Sequence, residues 1–137
     1  MARNITLAQA ETVIEACKAE AAAVGQPMNI AVVDDGGNLV AFTAMDDTKL
    51  IGEGISQRKA LTAVMFQMDT RDLAPLVQPG QPLFGIEATT GGNLVVFGGG
   101  VLLRTADGQI AGGVGVSAGT VDEDHQVAEA GRKAFPG

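Results

Sequence analysis

Lys59 is the side chain in this sequence whose surroundings most invite chemistry. On a helix it shares a face with Ile55, Thr62 and Phe66, at offsets of minus four, plus three and plus seven, so a cation projects from an otherwise apolar side. Such an amine must snorkel to the edge or meet an anion, and burial depresses its proton affinity toward the range useful in catalysis. His125 is the only imidazole, so any mechanism with a histidine base, a zinc ligand or a haem ligand must use it. It follows Asp122, Glu123 and Asp124 in a first helical turn. Those carboxylates favour the imidazolium while the positive end of the helix opposes it. Polar residues of a first turn are ordinarily solvated, which predicts a surface histidine. The three acidic residues could hold a hard cation, but the helix dipole already accounts for them there. Candidates for proton transfer are therefore Lys59, Asp124 and His125.

Two phosphate-binding patterns are excluded. Gly113 to Gly119 reads G-x-G-x-x-x-G, not the dinucleotide spacing. Only 18 residues follow Gly119, too few for a second βα unit, and the acidic turn behind it would repel a pyrophosphate. No G-x-x-x-x-G-K-[ST] occurs.

The elements that must position these residues follow from periodicity and punctuation. Thr6 and Gln9 form a capping box, after which Leu7, Ala10, Val13, Ile14, Cys17, Ala21 and Val24 make one apolar stripe closed by Gly25 and Pro27. Cys17 lies on that stripe and reads as a small core hydrophobe. Met28–Val33 and Asn38–Thr43 are β-prone runs joined by Asp34-Asp35-Gly36-Gly37, a hairpin whose glycines supply positive φ. A second helix runs from about Ile51 to Met68, weakened at its start by Gly52 and Gly54. Thr70 caps a short turn through Leu73, and Pro75, Pro79, Gly80 and Pro82 make a loop. From Gly91 to Gly119 ten of 29 residues are glycine, interleaved with three expected strands, Leu94–Phe97, Val101–Thr105 and Ile110–Ser117. So much glycine predicts that a helix, a neighbouring subunit or a flat ligand approaches the sheet backbone. Thr120 and Glu123 repeat the capping box before a last helix. The order predicts an α+β fold, an antiparallel sheet with helices packed on it, in one domain spanning 1–137.

Composition narrows the class of function. With 137 residues, 16 acidic against nine basic side chains and a net charge of -7, the chain lacks the clustered cations of a nucleic-acid binder. Apolar residues make up 46 per cent before 19 glycines are counted. No run approaches the ~20 residues of a membrane helix, so the surplus predicts a subunit interface in a homo-oligomer. One cysteine and an N-terminus without an apolar signal core predict a cytoplasmic protein.

The sequence also resembles the GlcG/HbpS-like family, the haem-degrading domain found too at the C-terminus of PduO-type proteins. The resemblance spans nearly the whole chain. It is carried by Ile30-Ala31-Val32-Val33-Asp34 with Gly37-Asn38-Leu39-Val40, Met45-Asp46, Lys59-Ala60 with Thr62-Ala63, Gly98-Gly99-Gly100, Gly113-Val114-Gly115-Val116-Ser117, and Asp124 with Val127-Ala128 and Gly131. The resemblance implies a five-stranded antiparallel sheet flanked by helices, similar to profilin, in a larger homo-oligomer. It also implies binding of haem or a related tetrapyrrole, with haem handling or degradation as the activity. On that reading Lys59, Thr62, Gly98, Gly99 and Gly100 border the ligand and Lys59 meets a propionate, while iron ligands could come only from His125, Cys17 or a methionine. Two other readings stay open: a cofactor-independent enzyme on a small anionic metabolite, using Lys59 with Asp124 or His125, and a non-catalytic oligomeric accessory protein.

Overall fold

The computed structural model describes residues 3–137. Helix α1 (Leu7–Val24) starts at the predicted capping box and ends on Gly25, whose φ of 76° needs no side chain to oppose it. Strands β1 (Asn29–Asp34) and β2 (Leu39–Ala44) form the predicted hairpin, although only Gly37 of its glycine pair has positive φ. Helix α2 (Gly52–Phe66), the single turn α3 (Thr70–Leu73), β3 (Gly100–Arg104), β4 (Ile110–Ser117) and α4 (Val121–Ala134) complete the order. α4 begins on the second capping box, Thr120 with Glu123.

The sheet is antiparallel with four strands in the order β2-β1-β4-β3, not five. Leu94–Phe97 is a loop rather than a strand, although Leu94 and Val95 are buried. The reason is visible at the free edge of β3. Gly100 N donates to Thr70 Oγ1 at 2.9 Å and Leu102 N to Asp69 Oδ1 at 3.0 Å, so side chains hold the amides that a neighbouring strand would take. Val95 N in turn donates to Thr62 Oγ1 at 3.0 Å, which ties the would-be strand to α2.

Three smaller expectations are also corrected. α2 stops at Phe66, where Gln67 turns left-handed at φ 57°. Asp69, not Thr70, caps α3, and its carboxylate serves β3 and Arg132 instead of the helix start. The proline loop contains a 3-10 turn, Ala74–Val77, because Pro75 sits at its start, where a missing N–H costs nothing.

The core lies between one face of the sheet and the pair α1 and α4. Ile30, Val32, Val114 and Val116 alternate toward that side, where Val13, Cys17, Val127 and Ala128 meet them. The other face carries α2, and here the glycines acquire their reason. A methyl group on Gly113 would lie 2.7 Å from Ala60 O; on Gly115 it would collide with Ser56 O, and on Gly100 with Lys59 O. A helix is therefore what approaches the sheet backbone.

Candidate functional site

Close packing of α2 on glycine leaves Lys59 with no route to solvent on its own side. Its amine runs past Gly99, where a Cβ would stand 2.6 Å from Nζ, and ends against Asp124 in the first turn of α4. Lys59 is 0 per cent exposed. Nζ donates to Asp124 Oδ2 at 2.7 Å and to Val116 O at 2.9 Å, and lies 5.0 Å from the centre of the Phe97 ring. The other oxygen, Asp124 Oδ1, accepts from Gly119 N at 2.9 Å. Of the two fates open to a lysine on an apolar face, this one meets an anion, and the anion is the protein's own. Burial pushes the amine below its usual range and the carboxyl above its own, with each charge pulling its partner part of the way back.

This pair is part of the wall of a cavity of about 200 Å³. Ser117 and Gly119 line it beside the pair, Lys49 stands at the mouth, and Ile51, Ile55, Phe97 and Val121 form an apolar wall. Ile51, Phe97 and Val121 are 73, 42 and 44 per cent exposed, so that wall continues onto the surface. Gly52 lets α2 start here, since a side chain would collide with Asn29 Nδ2 and crowd Ser117 Oγ; Ser117 Oγ donates to Gly52 O at 2.5 Å.

The other residues expected at the site divide. Gly99 abuts the pair and Gly98 faces Val121, so both shape the surroundings of the cavity without lining it. Gly100 serves the approach of α2. Thr62 is fully buried, donates to Arg58 O at 2.6 Å and holds the 93–97 loop. His125 does not join Lys59 and Asp124. One residue along the helix from Asp124, it faces a separate cavity of about 690 Å³, with Glu20, Arg71, Gln126, Glu129 and Arg132. Nor is it a surface residue: it is 7 per cent exposed, and Nδ1 is buried without a hydrogen-bond partner among the described residues. Burial, then the Arg71 cation, push its pKa down, outweighing Asp69 and Glu129, which pull the other way. Cys17 packs against Gly131, and burial raises its thiol to about 12. Sequence reasoning missed Lys49, Phe97 and Asn29. The one available signal was Asn29, an amide at the head of an apolar strand.

A family model, described as haem degrading protein HbpS-like, matches residues 5–133. The chain belongs to the HbpS-like family. Among its curated relatives, an uncharacterized 15.0 kDa protein of the dhaT-dhaS intergenic region of Citrobacter freundii is 38 per cent identical over 132 residues, 96 per cent of this chain and 92 per cent of that one. Protein GlcG of Escherichia coli K12 is 39 per cent identical over 119 residues, 85 per cent of each chain. Among solved structures, the PduOC:heme complex superposes with a TM-score of 0.91 at 30 per cent identity, covering 96 per cent of this chain and 95 per cent of the other. No described helix is long and apolar enough to cross a membrane.

Proposed function

We propose that this HbpS-like protein binds a tetrapyrrole at the Lys59–Asp124 cavity, as a homo-oligomer in the cytoplasm. One observation carries the reading: an apolar wall of Ile51, Ile55, Phe97 and Val121 stands over a neutralised polar pair and extends into solvent. A flat apolar macrocycle suits such a wall. The cavity, at about 200 Å³, is below the ~300 to 1,000 Å³ typical of sites that enclose a ligand, so it takes one edge of the ring while exposed Phe97 and Val121 cover more. A relative crystallised with haem adds support. The fit stops at the metal. Neither His125, Cys17 nor any described methionine lines the cavity, so these residues hold the macrocycle and supply no step at iron. Titration with haemin checks this: a saturable Soret shift near one haem per subunit is expected, weakened by Val121→Asp. A spectrum matching haemin with an unrelated acidic protein would falsify it.

The small volume favours a second reading, an enzyme acting on a small anionic metabolite. Lys59 and Asp124, each pushed toward its neutral form, could exchange a proton across 2.7 Å; His125 is too differently placed to take part. Saturable stabilisation by a 2-hydroxy acid, with none by haemin, would select it.

A further inference from the structure

Resting on the tetrapyrrole reading, we propose that Lys49, not the buried Lys59, recognises the ligand's carboxylate. Two of the three ammonium hydrogens of Lys59 are taken: Asp124 neutralises the charge at 2.7 Å and Val116 O accepts a second hydrogen, with the Phe97 ring 5.0 Å from Nζ. A guest anion would meet a charge that the protein's own carboxylate already balances. Lys49 lines the same cavity, is exposed, and forms no ion pair among the described residues; nearby Asp46, Asp47 and Glu53 are turned to solvent.

Its position is fixed from beneath. Asn29 is completely buried, and its Nδ2 donates to Lys49 O at 3.2 Å and to Thr48 Oγ1 at 3.0 Å. Gly52 N also donates to Lys49 O, at 3.1 Å. Burying an amide is costly unless it is hydrogen-bonded; Nδ2 is bonded twice, while Oδ1 finds no partner among the described residues. The two Nδ2 bonds set the point from which a flexible cationic side chain leaves, at the cavity that Ile51, Ile55, Phe97 and Val121 also line. The chemistry selected is an apolar body carrying a carboxylate, which in a tetrapyrrole is a propionate. On a protein of charge -7, a local cation at the mouth also offsets the general repulsion of an anionic guest.

The test titrates haemin and haemin dimethyl ester into the full chain and into Lys49→Gln, Lys49→Glu and Lys49→Arg, at low and high salt. For haemin, Lys49→Gln should weaken binding about threefold and Lys49→Glu about tenfold, losses that shrink in salt, with Lys49→Arg close to the parent. The ester should bind all four proteins alike. Unchanged melting temperatures will show that the exposed substitution leaves the fold intact. Saturable haemin binding that ignores residue 49, or equal losses for acid and ester, overturns this inference alone; no saturable binding by any of the proteins overturns the tetrapyrrole reading with it.

Discussion

Lys59 and Asp124 act as a unit, and mutation should reveal that. Removing one member of a buried pair strands the other, which costs about 3 to 5 kcal/mol, whereas replacing both with apolar side chains of similar volume is often nearly neutral. Lys59→Met and Asp124→Leu should each be strongly destabilising in urea unfolding, and the double variant less so than either. Additive losses would show that the charges do not depend on one another. His125 makes a separate prediction. Its imidazole is held below the ordinary 6.5, so the unfolded chain binds more protons as pH falls below that value. Its contribution to stability is therefore complete above pH 6.5 and is lost progressively on acidification through the window below, at no more than about 1.4 kcal/mol per pH unit. The groups facing it are Asp69, Arg71, Glu129 and Arg132. His125→Gln should flatten the melting temperature across that window. The lysine's predicament was legible because one face of one helix combined it with apolar neighbours; Asp124 was a candidate beside it, but the ion pair between them was not legible, because the helix dipole already accounts for that carboxylate.

At the scale of elements, glycine sets how close α2 lies to the sheet. Gly115→Ala must push Ser56 away, and should cost several times more stability than Gly92→Ala, which meets open space and bears only the roughly 1 to 2 kcal/mol of a left-handed residue with a side chain. Thermal melts of the two variants will rank them. Both capping boxes, the hairpin at Asp34 to Asn38 and the turn at Asp107-Gly108 follow from local chemistry and are present. The misassigned strand shows the limit of that reasoning. Leu94–Phe97 has a strand's composition, but the amides it would pair with are held by Asp69 and Thr70, residues some thirty positions away whose arrival no local pattern announces.

For the whole molecule, the apolar surplus in the composition is partly resolved: Leu50, Ile51, Phe84, Phe97 and Val121 are exposed. Surfaces of that kind mark contact sites. Sedimentation should give a multiple of 13.9 kDa, reduced by the paired substitution Leu50→Asp with Ile51→Asp. Because each copy carries -7, added salt should strengthen association by screening that repulsion, while a mass that stays at one chain in all conditions would reject it. An antiparallel sheet with helices packed on it was recoverable from pattern alone; the strand count and order were not, and nor was the cavity, since it gathers Lys49, Lys59, Phe97, Ser117 and Asp124 from segments spread over half the chain.

The hooks on the outer side of β3 have a consequence for how that margin behaves toward other polypeptides. An edge strand normally offers itself as a template for whatever extended peptide comes by. Here a hydroxyl and a carboxylate have already filled the two inviting positions, so the margin is closed without a further strand. In deuterium exchange the Gly100 and Leu102 amides should hold their protons as though a strand lay beside them, and Asp69→Ala should release the second while sparing the first.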